Sequence, residues 1–228
     1  MEIFVGTSGW MYSWNEKGNF DWYIENSGLN SVELNASFYR FPFENQIKSW
    51  AKKGTSLRWS IKVHRLITHK FKLNEEAKES FKKFLELFKP MDNLIDFYLF
   101  QLPPSFGPEN YEKILKFFEG FDKERIVIEF RNKKWFDMEL EDFGNKNSLL
   151  ISSIDSPDFQ KMIFNIKERI YLRFHGREAW YQYEYCKDEL KEIGDIIKNK
   201  NPKKVYAYFN NDHSMLKNAK LFFEILKE

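Results

Sequence analysis

Eight short apolar runs recur along the chain, and most of them end in polar or charged residues. Val5 leads into Gly6-Thr7-Ser8-Gly9-Trp10, Val32 into Glu33-Leu34-Asn35, and Ile61 into Lys62-Val63-His64. Leu99 leads into Gln101, Ile126-Val127-Ile128 into Glu129-Phe130-Arg131, and Ile151 on to Asp155. Leu172 leads into Arg173-Phe174-His175-Gly176, and Tyr208-Phe209 into Asn210-Asn211-Asp212. Helix-like stretches lie between many of these runs, at 44–53, 74–89, 109–119, 188–198 and 214–226. Strands alternating with helices predict a parallel sheet. Eight of them in one chain favour a closed (β/α)8 TIM barrel, class α/β, over an open sheet. In either case the strand ends of one polarity gather on one face, where ligands bind.

The clearest helix begins at Asn74, a good N-cap, with Glu75 and Glu76 complementing the first turn. Phe81, Phe84, Leu85 and Phe88 then recur at helical spacing, and Pro90 stops it. A length of 228 residues lies near the lower end for a barrel, so connections must be short and some helices small. The stretch after Ile151 has a weak helix signal and is expected to be irregular. With no linker, repeat or low-complexity segment, residues 1–228 are expected to form one domain.

Composition narrows the function classes. Lys+Arg is 36 against 34 Asp+Glu, a net charge of +2, and a non-specific nucleic-acid binder usually carries a larger basic excess. Nucleic acid is therefore kept as a less favoured partner. One cysteine, Cys186, forbids an intrachain disulfide. No run of 18 apolar residues exists, so no membrane span is expected. Met1-Glu2 passes straight into a strand-like run with no signal peptide, and the cytoplasm is the expected location.

Side chains two apart on a strand point the same way. Glu129 with Arg131, Arg173 with His175, Lys62 with His64, and Glu33 with Asn35 therefore present polar pairs at strand ends. The candidate catalytic groups are Glu129 as general acid or base, His175 as a second proton carrier, and Glu33. Lys62, Arg131 and Arg173 are expected to hold an anion, since arginine grips phosphate or carboxylate by paired bonds. Gln101, Asn35, Asn210, Asn211, Tyr39 and Trp10 complete the ligand-binding set. The competing reading is an ion-pair network that closes the barrel top, with Trp10, Trp135 and the other loop aromatics packed as a lid. His69 serves either its own loop or a substrate.

No metal is expected: no HExxH, DxD or Cys/His pair with ligand spacing appears, and cations stand among the carboxylates. No cofactor is expected either. Gly6-Thr7-Ser8-Gly9 lacks the Lys-Ser/Thr of a Walker loop and is not a GxGxxG turn.

The strings GTSGW (6–10), VELNASFYRFP (32–42), IKVHRLITH (61–69), FQLPPSF (100–106), IEFRNKKW (128–135), LRFHGR (172–177) and YFNND (208–212) closely resemble the YecE-like family. This is the domain-of-unknown-function family number seventy-two. The resemblance runs in the family's order from residue 6 to the C-terminal helix. It implies a TIM barrel similar to the xylose isomerase and endonuclease IV group, a hint of sugar or nucleic-acid chemistry. The family's motif residues fall here on Glu33, Asn35, Lys62, Gln101, Glu129, Arg131, His175, Asn210 and Asn211. Ser37 replaces the family's more frequent Thr and keeps the hydroxyl. The expected function is acid/base chemistry on a small anionic, phosphorylated or sugar-containing substrate, by a hydrolase or isomerase if the chain is an enzyme. The alternative is binding or processing of a phosphodiester.

Overall fold

The computed structural model describes residues 1–228. Its elements are, in chain order, β1 (Glu2–Thr7), α1 (Phe20–Asn26), β2 (Ser31–Leu34), α2 (Ala36–Tyr39), α3 (Glu44–Lys53) and β3 (Arg58–Lys62). Then come α4 (Glu75–Phe88), β4 (Ile95–Gln101), α5 (Tyr111–Phe117), β5 (Ile126–Glu129), α6 (Leu140–Asn147) and β6 (Leu150–Ile151). The chain finishes with β7 (Ser153–Asp155), β8 (Arg169–Phe174), α7 (Lys187–Asn199), β9 (Lys204–Phe209) and α8 (Met215–Lys227).

The strands pair in the order β6-β5-β4-β3-β2-β1-β9-β8-β7. The registers are parallel, as at Val5 opposite Ala207, Leu99 opposite Val127, and Leu172 opposite Ala207. The expected eight strands appear as nine segments because the sixth is broken at Ser152. Its first half, Leu150–Ile151, pairs with β5, and its second half, Ser153–Asp155, pairs with β8. One stretch of chain thus occupies both ends of the strand order, and the fold is an α/β barrel of the (β/α)8 kind. The only antiparallel pairings are isolated bridges, Ile154–Met162 and Ile166–Arg169, in the helix-free stretch before β8.

The helices follow their sequence signals closely. Asn74 accepts a hydrogen bond from the Ala77 N–H at 3.0 Å, and α4 buries Ala77, Phe81, Phe84 and Phe88 along one stripe. Three helices escape the pattern. α1 is two turns long and buries only Phe20 and Tyr23, and α2 is a single turn. α6 carries Gly144, Asn145 and Asn147, all weak helix formers, yet Leu140 and Phe143 bury it.

The chain divides into two compact units, each described by itself: residues 1–33, 56–58 and 152–228, and residues 34–55 and 59–151. In the first, Phe174 stacks on Phe209 at 4.2 Å with Phe222 of α8 against it at 5.0 Å. Gly6 is required where β1 meets β2, since a Cβ there would lie 2.3 Å from the Ser31 carbonyl oxygen. The Asn30 side chain binds the backbone of β1 on both sides, accepting from Val5 N at 2.9 Å and donating to Ile3 O at 2.8 Å. In the second unit the phenylalanines do the filling. Phe81 meets Phe100 and Phe121 at 4.9 Å and Tyr98 at 5.7 Å.

Candidate functional site

The second unit gathers one polar cluster from the C-terminal ends of β3, β4 and β5. The strand interiors are apolar because helices cover them, and the polar residues begin where that cover stops. Lys62, the last residue of β3, is buried and donates its Nζ to Gln101 Oε1 at 2.7 Å. Gln101, the last residue of β4, also accepts from Arg131 Nη2 at 3.5 Å. Arg131 Nε in turn donates to Glu129 Oε1. Glu129 is fully buried and the Arg131 side chain is 9% exposed. A carboxylate in that position needs a cation beside it, and the residue two along supplies it, as the strand alternation requires. Two cations converge on the single oxygen of a neutral amide.

Phe38 forms one wall, with Lys62 Nζ 4.4 Å from the centre of its ring. The His69 ring meets the edge of Phe38 at 5.1 Å. His69 sits in a single π-helical turn, Leu66–Lys70, a distortion frequent at functional sites. Burial lowers the His69 pKa below its ordinary 6.5, and the positive charges of Lys62, Arg65 and Arg131 push it the same way. His64, buried before that turn, is lowered by burial as well. The Ser37 hydroxyl lies 2.7 Å from the Lys62 carbonyl oxygen and 2.8 Å from that of Leu34, so it ties α2 to β3.

The first unit holds a second cluster at the ends of β1, β2, β8 and β9. Glu33 and Arg173 are both fully buried. Glu33 Oε1 accepts from Ser8 Oγ and from Arg173 Nη2, each at 2.7 Å. Its Oε2 accepts from Tyr171 OH at 2.7 Å and from Arg173 Nε at 2.9 Å. Four donors occupy both oxygens. Glu33 therefore anchors Arg173. Arg173 Nη1 lies 3.4 Å from His175 Nε2. Asn210 Nδ2 lies 3.4 Å from His175 Nδ1. Gly176, at φ +99°, turns the chain where a Cβ would fall 2.5 Å from the Ala179 carbonyl oxygen.

Four further expected ligand contacts have the following surroundings. Trp10 is buried with its ring 4.6 Å from that of Phe20, so it packs. Asn211 is buried and donates to Tyr183 O at 2.7 Å and Asn218 Oδ1 at 2.8 Å, which makes it a loop fastener. Asn35 precedes α2 without capping it, and its buried Oδ1 has no partner. Tyr39 is 67% exposed. Trp135 stacks on Phe130 at 4.1 Å as part of the core. Ser8 and Tyr171 were not expected at a site: Ser8 lies in the GTSGW string without an assigned role, and Tyr171 lies inside the apolar run of β8. No group of three His, Cys, Asp or Glu residues is positioned to hold a metal ion. No helix is long and apolar enough to cross a membrane.

A family model described as "Protein of unknown function DUF72" matches residues 4–228. A DUF72 family protein of Thermotoga maritima MSB8 is similar in structure, with TM-score 0.78, 24% identity and 100% of both chains covered. Another, of Enterococcus faecalis V583, gives TM-score 0.79 at 21% identity, covering 99% of this chain and 96% of that one. A D-psicose 3-epimerase crystallised in the presence of D-fructose shares the fold, with TM-score 0.61 and 12% identity over 100% of both chains. No curated protein matches the sequence.

Proposed function

The chain belongs to the DUF72 family, a family without an assigned activity, and from that premise we propose that it is an enzyme acting by acid/base chemistry on a small anionic, sugar-bearing substrate. The observation that carries this reading is the convergence of Lys62 and Arg131 on one amide oxygen beside the buried carboxylate of Glu129. An anionic ligand beside Gln101 would receive charge-assisted bonds from both cations. Glu129, oriented by Arg131 Nε, is assigned the proton transfer. The likeness of fold to an epimerase crystallised with D-fructose supports the sugar. In the other unit, the Glu33–Arg173 pair sets the His175 ring, and we assign His175 a proton-carrying role there.

Glu129→Gln tests the assignment, because the amide keeps the shape and removes the charge. We expect turnover in a screen of sugar phosphates and sugar acids to be lost while the circular dichroism spectrum stays that of the parent. Turnover intact in the variant would leave only an ion-pair network.

A further inference from the structure

We infer that the first unit carries a separate binding site for a neutral, hydroxyl-rich ligand, a sugar ring, in the cavity between the loops that follow β8 and β9. The cavity uses no residue of the Glu129 cluster, so it does not depend on the anion-binding reading above.

The cavity has a volume of about 470 Å³ and is lined by residues 182–184 and 211–214. That volume falls within the usual range for a small-molecule site. With the broken sixth strand counted once, β8 and β9 are the seventh and eighth strands of the barrel. In barrels the loops after these two strands frequently bind phosphate.

Here the walls disfavour phosphate. No lysine or arginine lines the cavity, and two carboxylates, Glu184 and Asp212, do. A cationic ligand is disfavoured as well, because both acids already have cationic or cation-forming neighbours. Lys217 binds Glu184, and His213 Nε2 lies 3.5 Å from Asp212 Oδ2. An apolar ligand finds no aliphatic side chain in the wall. The class that fits is uncharged and rich in hydroxyls. Planar amide and carboxylate groups suit it, since each presents two polar atoms side by side to neighbouring hydroxyls. Two of these groups have capacity to spare. Gln182 is exposed and its amide bonds no other residue. Asn211 is only 1% exposed, yet its Oδ1 has no partner.

The walls are also fixed in advance. Asn211 Nδ2 donates to Tyr183 O, which ties the two lining segments together. Asn218 of α8 accepts from Tyr185 N at 3.1 Å and donates to Tyr185 O at 2.9 Å. Ser13 Oγ lies 2.7 Å from His213 Nδ1, and Ser214 Oγ donates to Glu184 Oε2 at 3.5 Å. A site held in this way has little order left to lose on binding.

The probes are the methyl glycosides of glucose, galactose, mannose and xylose, which are neutral and cannot ring-open. Titration of each into isotope-labelled protein is followed by amide chemical shifts. At least one should move the backbone amides of 182–184 and 211–214, with a Kd of about 1–10 mM, as the size of the ligand allows. The affinity should not change as salt rises from about 0.05 to 0.5 M, because no charge pair is being screened. Gln182→Ala, at an exposed position, should weaken binding about three- to tenfold, the loss of a hydrogen bond. Inorganic phosphate and putrescine should leave these amides in place. Three results would overturn the proposal: no glycoside moving these amides, shifts that fall elsewhere in the protein, or a Kd unchanged by Gln182→Ala. Phosphate or putrescine moving them more strongly than any glycoside would also overturn it and would assign the cavity to an anion or a cation.

Discussion

At the scale of single residues, two carboxylates with similar sequence contexts have different surroundings. Glu129 meets Arg131 two positions along its own strand, a local pairing visible in the sequence. Glu33 meets Arg173 from a strand 140 positions away, together with Tyr171 and Ser8, and all its oxygen sites are taken. The consequences differ. Removing one member of a fully buried pair leaves an uncompensated charge, at a cost of about 3–5 kcal/mol. We expect Glu33→Ala to lower the melting temperature by about 6–20 °C, at roughly 2–4 °C per kcal/mol in a chain of this length. Differential scanning fluorimetry checks it. A shift under about 2 °C would mean that Arg173 finds another partner and that the anchor role is wrong.

At the scale of elements, local rules held wherever one face of a long element was buried. α4 shows it: cap, acidic first turn, aromatic stripe and terminating proline were all legible, and all are in place. Asn74→Ala should cost about 1 kcal/mol by removing the Ala77 N–H acceptor. That is a melting shift of about 2–4 °C, and Asn74→Asp should recover most of it. An unchanged melting temperature for the alanine variant would show that the first turn frays without cost. The elements missed were the short ones. α1 and α2 are too brief to show a period, and α6 is held by burial of Leu140 and Phe143 against the preference of its glycine and asparagines. The sixth strand was read as one run. Its break at Ser152 comes from having to pair with β5 through one half and β8 through the other.

At the scale of the whole molecule, charge sets the choice of partner class. A net charge of +2 over 228 residues is a smaller basic excess than non-specific nucleic-acid binders usually carry. We expect duplex DNA of random sequence to bind more weakly than about 10⁻⁴ M at physiological salt. Fluorescence anisotropy across a salt series measures it. Micromolar binding with a steep negative salt slope would favour the phosphodiester alternative over a small substrate.

The fold class and the gathering of polar residues at strand ends were determined by the sequence alone. Apolar periodicity and helix caps are local, and strand polarity in an alternating β/α chain follows from them. The resemblance of the ordered motifs to one family added the barrel by a separate route. Which polar residues would touch was decided only by the tertiary structure. Gln101 receives both Lys62 and Arg131 because three strand ends come side by side in register. Glu33 is saturated because Ser8, Tyr171 and Arg173 arrive from other strands. Trp10 and Asn211, alike in sequence to ligand contacts, are packed and tied inside the first unit. Long-range contacts are set by strand register and by burial, and neither quantity is written in the neighbourhood of any single residue.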